Sequence, residues 1–386
     1  MKVLFCFIAL IAFCCSCKGQ ETSNLENDIN KLLTDYNAIG ASVVVVKDNK
    51  ICYHHSFGYN PDYNDPTARN PISDNGIYWL ASVSKTFIST AIMQLVEKKK
   101  LKLDDDVNKY LKFPVRNPHY PSVPITVKML LCHRSSINDK HYGWTLKMMD
   151  SKTYEKYDEC FNDYQPGAKF DYCNLNYSLL GAIIENVTGM RFDQYIDKYI
   201  CEPLGLDASF NLTKIDSTLL VKSLSYDQKK KKYKPNRSIY NYQNVRNKLI
   251  DYRLGSSTAC LSPAGGMKTT TMDLAKWMMV HMNYGNLDGK HIISKESELA
   301  MWTPQGTDRN YGFAFSRYDK IIKGESLYGM TGGSHGINSV MFFDPVKKYG
   351  FVVITNGYVP LSEKGYLPSL ARELVRPLYN HFIKEK

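Results

Sequence analysis

Apolar residues recur along this chain in two rhythms, and the change from one to the other lays out the architecture. Leu25, Ile29, Leu32 and Leu33 share one face of a helix predicted over residues 21–36. Gly40-Ala-Ser-Val-Val-Val-Val-Lys47 then reads as a strand, Asp48-Asn49 turns it, and Ile51 to Phe57 returns as its hairpin partner. A helix over 82–97 carries a broad apolar stripe of Phe87, Ile88, Ala91, Ile92, Leu95 and Val96. From 101 to about 310 the pattern is short helices and loops. Clear helices there run over 178–187, with Gly189 placed to end it, and over 271–282. Strand rhythm returns in 311–318, 321–330, 338–344 and 350–355, and a helix over 369–382, bent at Pro377, closes the chain. The predicted fold class is α/β: an antiparallel β-sheet flanked by helices, with an all-helical lobe inserted. The sheet part takes residues 39–100 and 310–360, the lobe 101–309, and residues 361–386 form a C-terminal helix packed on the sheet. No repeat or low-complexity linker marks a second domain.

Composition changes this picture mainly at the N-terminus. The 386 residues are 44% hydrophobic, enough for a large core. Lys2 is followed by an apolar run, Val3 to Cys15, too short to span a bilayer comfortably and suited to a secretory signal core. Residues 1–16 are therefore expected to be a signal peptide. The step from Ser16-Cys17 to Lys18-Gly-Gln-Glu resembles a bacterial lipoprotein signal, with Cys17 as the lipidated residue; ordinary cleavage nearby is the alternative. Residues 17–38 would then hold the lipidated segment and the first helix. The expected location is the bacterial cell envelope, periplasmic, with the lipid as the only membrane contact. The net charge of +11 is scattered apart from Lys229–Lys232 and Lys234, which read as a solvated loop or hairpin tip. Nucleic acid is not an expected partner. Cys52, Cys132, Cys160, Cys173, Cys201 and Cys260 show no disulfide framework and no CxxC pair. Cys160 and Cys173 bracket a Pro-Gly loop and are the one candidate pair; buried free thiols are the expected state. No histidine pair has helical metal-ligand spacing, and His54-His55 would face opposite sides of a strand, so neither metal nor cofactor is expected.

Three short stretches carry chemistry. Ser82-Val-Ser-Lys85 puts a hydroxyl and an amine three residues apart, hence on one helical face about 5–6 Å apart at Cβ. Burial lowers a lysine pKa, and a neutral amine there can take the serine proton. The spacing alone is weak, because chance supplies it readily. Tyr172-Cys-Asn174 offers a phenol that a nearby cation could ionise below its usual value of about 10, and an amide to orient a carbonyl. On its own it reads equally as a packed tyrosine and a helix N-cap. Gly329-Met-Thr-Gly-Gly-Ser-His-Gly336 reads as a glycine-rich turn between strands that lets backbone approach a ligand. Its Gly332-Gly-Ser-His-Gly336 also fits G-x-S-x-G, but a strand follows where that motif needs a helix, so Ser334 is not taken as a nucleophile.

Together and in this order the three stretches resemble the serine β-lactamase and penicillin-binding family, in its class C-like branch with esterases and D-stereospecific peptidases. The likeness runs from about Ile39 to Gly357 and includes Leu101-Lys-Leu-Asp-Asp-Asp-Val-Asn-Lys-Tyr-Leu, Ile125-Thr-Val-Lys-Met-Leu-Leu-Cys-His, Asn176-Tyr-Ser-Leu-Leu-Gly and Pro263-Ala-Gly-Gly-Met. The resemblance implies a site between sheet and helical lobe. Ser82 would be acylated, Lys85 would accept its proton, and Tyr172 would act as the base that protonates the leaving group and activates water. Asn174, Met330, Thr331, Gly332 and Gly333 would bind substrate, and the backbone N–H groups of Ser82 and Gly333 would form the oxyanion hole. Two departures stand out. Met330 replaces the family's Lys or His, removing a cation that binds a substrate carboxylate and lowers the tyrosine pKa; His335 is a partial substitute in the same turn. His133-Arg-Ser-Ser136 replaces His-Thr-Ser-Gly. The expected activity is a serine hydrolase or acyltransferase, working as a monomer on a small-molecule or peptidoglycan-like ester, amide or D-amino-acid-type substrate. The alternatives are a β-lactamase or D-Ala-D-Ala carboxypeptidase proper, or a penicillin-binding sensor without turnover.

Overall fold

The computed structural model describes residues 23–359 and 370–384. The signal peptide and Cys17 lie outside the described residues. Helix α1 (23–35) precedes β1 (Gly40–Lys47) and β2 (Lys50–Asn60). With β3 (Asn70–Pro71), β4 (Ser316–Tyr318), β5 (Leu327–Ser334), β6 (Ile337–Asp344) and β7 (Tyr349–Thr355) these build a seven-stranded antiparallel sheet, ordered β4-β5-β6-β7-β1-β2-β3. Both chain halves thus share one sheet, with β1 paired to β7 through Val43↔Val353 and to β2 through Val43↔His55.

The unbroken valine run of β1 follows from burial on both faces, where alternation is not needed. Val43 and Val45 join Phe351, Val353, Val340 and Phe342 in a cluster with Leu25, Ile29 and Leu33 of α1. The same cluster takes in Leu370, Ala371, Leu374, Val375 and Leu378, in and between the C-terminal helices α5 (Leu370–Glu373) and α6 (Val375–Phe382). Val44 and Val46 face the other way, into the larger core shared with α2 (Lys85–Glu97), α3 (Asn174–Thr188) and α4 (Thr271–Met282). Phe87 of α2 stacks on Trp277 of α4 with centroids 4.3 Å apart, and the Trp277 indole donates to Thr86 Oγ1 at 2.9 Å. Such a stacked pair adds about 0.5–1.5 kcal/mol beyond its buried area. It ties the helix behind Lys85 to the helix lying on the sheet.

Several boundaries differ from expectation. Residues 321–326 are not strand, because Gly324 at φ +84° turns the chain and β5 begins only at Leu327. Of 311–318 only Ser316–Tyr318 is strand. The C-terminal helix breaks at Leu374 rather than at Pro377, since a proline cannot donate to the carbonyl four residues back and its ring clashes there. Residues 101–309 are not all helical. Lys268–Thr270 pairs with Ile77–Trp79 and Ala208–Ser209, and Leu224–Asp227 pairs with Lys232–Pro235. The last hairpin carries the lysine run at its tip, as the solvated reading expects. Helix α4 belongs with the sheet: a Cβ on Gly350 of β7 would meet the Met278 methyl at 2.7 Å. The named cysteines are free; Cys160 and Cys173 do not pair, and Cys52 is exposed rather than buried.

Candidate active site

Ser82 lies in a single 3-10 turn, Ala81–Ser84, that runs directly into α2, so the candidate nucleophile stands one turn ahead of the α-helix rather than inside it. Ala81 adopts φ +49°, a left-handed conformation that costs a non-glycine residue about 1–2 kcal/mol. Three bonds from neighbouring segments hold the strained turn in place. Leu80 N–H donates to Met267 O at 2.9 Å, Met267 N–H to Ser84 Oγ at 3.0 Å, and the Ser339 hydroxyl of β6 to Leu80 O at 2.7 Å.

Lys85 is fully buried and its amine reaches three acceptors: Ser82 Oγ at 3.2 Å, Asn174 Oδ1 at 2.9 Å and Ala264 O at 2.6 Å. Desolvation pushes its pKa down to about 7, against a smaller upward pull from Asp139. Near neutral pH the amine is therefore often uncharged, with two hydrogens and one lone pair. Two of its neighbours are carbonyl oxygens and accept only. They hold the two hydrogens, and the lone pair is left facing the one neighbour able to donate, the Ser82 hydroxyl.

The Tyr172 hydroxyl donates to Ser82 Oγ at 2.7 Å, and its ring centroid is 4.9 Å from Lys85 Nζ. Tyr172 is 37% exposed, as befits a residue at a cleft mouth. Even so, the protein packed round it raises its pKa well above the ordinary tyrosine value, the Ser82 bond opposes the shift, and the Asp139 charge adds to it. This corrects the expectation of a tyrosine ionised below 10. In the resting site Tyr172 is a neutral phenol that donates, and Lys85 is the group poised to accept a proton.

Asn174 is the first residue of α3. Its Oδ1 accepts from Lys85 and its Nδ2 donates to Asp139 Oδ2 at 2.8 Å, which leaves one amide hydrogen for a substrate carbonyl. Asp139 is the residue that sequence reasoning missed. Its carboxylate also accepts the backbone N–H of Asn174 at 2.8 Å and of Leu175 at 3.0 Å. It caps the helix that presents Asn174 and favours the positive end of that helix's dipole. Ser136, where the family has glycine, takes φ +62°. His133 is buried, with its ring centroid 4.3 Å from that of Tyr172, which it backs.

The glycine-rich stretch is a strand, not a turn. Gly329 to Ser334 lie in β5, and only His335 and Gly336, at φ +50° and +75°, turn the chain into β6. Two positive φ values in a two-residue loop make the tight hairpin favoured between twisted strands. Antiparallel alternation then follows from the register. Ser334↔Ile337 flanks the loop and is hydrogen-bonded, so at Gly333↔Asn338 the N–H groups point outward. The outer edge of β5 is paired to β4 only at 327–329, which leaves Gly333 N–H aimed at the open edge beside Ser82. Gly332 has to be glycine, because a Cβ would come within 2.4 Å of Leu80 O and 2.9 Å of Ser82 N; a Cβ on Gly333 would meet nothing within 4 Å. Met330 is 4% exposed and packs in the larger core, and Thr331 is half-buried beside Tyr318. His335 does not restore the missing cation. Its ring lies 5.0 Å from that of Trp79, its Nδ1 is hydrogen-bonded to Ser334 Oγ at 2.7 Å, and burial lowers its pKa.

Comparison with known proteins agrees with this fold. A beta-lactamase family model matches residues 25–376. The chain is 26% identical over 365 residues to Protein flp of Staphylococcus aureus strain MRSA252, covering 89% of this chain and 63% of that protein. It thus spans under two thirds of the length of that relative. Among solved structures, the octameric penicillin-binding protein homologue from Pyrococcus abyssi superimposes with a TM-score of 0.72 at 26% identity, over 93% of this chain and 77% of the other. The D-amino acid amidase from Ochrobactrum anthropi SV3, complexed with L-phenylalanine, shares the fold with a TM-score of 0.66 at 18% identity, over 92% and 99% of the two chains. With the family model matching most of its length, the chain belongs to the beta-lactamase family.

Proposed function

We propose that the protein is a class C-like serine hydrolase that works through an acyl-enzyme on Ser82, with Lys85 as first proton acceptor and Tyr172 as proton donor to the leaving group. The observation that carries this is the placement of Ser82 Oγ between the Lys85 amine at 3.2 Å and the Tyr172 hydroxyl at 2.7 Å. As Ser82 attacks a carbonyl, its proton passes to the neutral Lys85 amine. The oxyanion meets the N–H groups of Ser82 and Gly333. When the bond to the leaving group breaks, Tyr172 gives that group its proton and is reprotonated by the Lys85 ammonium beside it. Water then attacks the acyl carbonyl as it gives a proton to Lys85 through Tyr172; the bond to Ser82 Oγ breaks, Ser82 takes that proton back, the acyl group leaves as the acid, and Lys85 is again neutral. Removing such a general acid or base typically costs 10²–10⁴-fold in rate.

The substrate is an ester, amide or D-amino-acid-type compound rather than a β-lactam or a D-Ala-D-Ala peptide. Met330 offers no cation to a carboxylate next to the scissile bond. Intact-mass measurement after treatment with a fluorophosphonate and with a labelled penicillin tests the reading. An adduct absent from wild type, or surviving Ser82→Ala, removes the acyl-enzyme; a fast penicillin adduct that never turns over supports the sensor alternative instead. We further propose export and lipid anchoring through Cys17. Among the described residues no helix is long and apolar enough to cross a membrane. A Cys17→Ser protein that stays in the membrane fraction would contradict the anchor.

A further inference from the structure

Lys268 is a buried lysine for which the acyl-enzyme chemistry has no use. It is 8% exposed and lines a cavity of about 180 Å³. Strand pairing sets it opposite Trp79, in the segment that leads into the Ser82 turn. Trp79, Trp144, Phe210 and Leu212 supply apolar wall, and the cavity reaches Ser262 and Gly266. Gly266 follows Gly265, whose Cβ position is 3.6 Å from the Ala81 backbone, so the cavity wall adjoins the turn that carries Ser82.

The Lys268 amine donates to Phe210 O at 2.8 Å. Asp193, the acid that acts on it electrostatically, is itself held by Arg191 at 2.7 Å. One carbonyl does not satisfy an ammonium, which has three hydrogens to place. A second lysine, Lys248, stands on the same wall with its amine 4.5 Å from the Trp144 ring centroid. No aspartate or glutamate lines this cavity. Two lysine amines with no carboxylate on the cavity wall, beside an aromatic face, make a receptor for an organic anion with an apolar arm. Neither Ser82 nor Tyr172, Lys85 or Asn174 lines the cavity; it meets the site through Trp79 and Gly266, which adjoin the Ser82 turn.

We propose that this cavity is the acyl pocket and that Lys268 binds a carboxylate at the far end of the acyl group, so that preferred substrates are esters or amides of short dicarboxylic or acidic acyl groups. This rests on the acyl-enzyme reading of Ser82. Burial pushes the Lys268 pKa down to about 7, and an arriving carboxylate would draw a proton back onto the amine and pair with it.

The test compares p-nitrophenyl hydrogen glutarate with p-nitrophenyl pentanoate, which share chain length and leaving group but differ in the terminal carboxylate. Wild type is expected to favour the glutarate in kcat/KM by at least tenfold. In Lys268→Met, and in Lys268→Gln, which keeps a donor for Phe210 O without the charge, that ratio falls towards one. A wild-type ratio near one, or a preference that persists in both variants, overturns the proposal. Fluorophosphonate labelling of Ser82 is measured in parallel on all three proteins. Labelling without the glutarate preference defeats the pocket assignment alone, whereas failure of wild type to label defeats the acyl-enzyme reading beneath it.

Discussion

Asp139→Asn probes the part of the site that holds Lys85 and Asn174 together. The two carboxylate oxygens accept Asn174 N–H at 2.8 Å, Asn174 Nδ2 at 2.8 Å and Leu175 N–H at 3.0 Å, and the Cys173 thiol lies 3.2 Å away. An asparagine keeps one accepting oxygen and turns an N–H₂ group against the donors on the other side. Loss of one to two charge-assisted bonds, at about 1.5–3 kcal/mol each, and of the helix-cap charge, at about 0.3–1 kcal/mol, destabilises the fold by about 3 kcal/mol. The rate falls as well, because Asn174 no longer holds the Lys85 amine in line with Ser82. The Asp139 charge is the main influence raising the Lys85 pKa, so its removal moves the acid limb of the kcat/KM profile to lower pH. Urea denaturation measures the first effect and a pH–rate series on an uncharged ester the second. Unchanged stability together with an unmoved acid limb would refute the role given to Asp139.

Tyr172→Phe removes the hydroxyl 2.7 Å from Ser82; turnover should fall 10²–10⁴-fold while the acid limb set by Lys85 stays where it is, which stopped-flow acylation would resolve. Ala81→Gly relieves the left-handed strain at φ +49° and should stabilise the protein by about 1 kcal/mol, read from the urea midpoint, with slower acylation from a looser nucleophile turn. Met330→Lys restores a cation on β5 and should confer acylation by labelled penicillin, at a cost in stability of several kcal/mol for a charge in a buried position; no gain in acylation would remove the explanation offered for this departure.

The sheet and the reacting groups were legible because each leaves a local signature. Val43 to Val46 announce a strand buried on two faces, and a hydroxyl three residues before a lysine on a helix needs no tertiary information to be placed on one side. Asp139 left none. It stands in an irregular loop among 38 acidic residues, and only the fold brings it to the start of α3. The β5 glycines misled for a physical reason. Gly332 is small because the Ser82 turn presses on the strand, not because the chain turns there. Glycine frequency cannot separate a turn from a close approach. Lys268 was likewise invisible, since nothing local distinguishes a lysine that ends in a cavity from one that ends in water.

The central claim is that a neutral Lys85, and not an ionised Tyr172, takes the proton from Ser82. The pH dependence of Ser82 acylation by an uncharged fluorophosphonate measures this most directly. Because the neutral amine is the active form, the rate should rise as pH increases through the Lys85 value of about 7, with a single ionisation, and then hold level as the Tyr172 phenol stays protonated beyond the ordinary tyrosine range. An acylation rate that stays low through neutral pH and climbs only near 10, as a phenolate base would require, would contradict it.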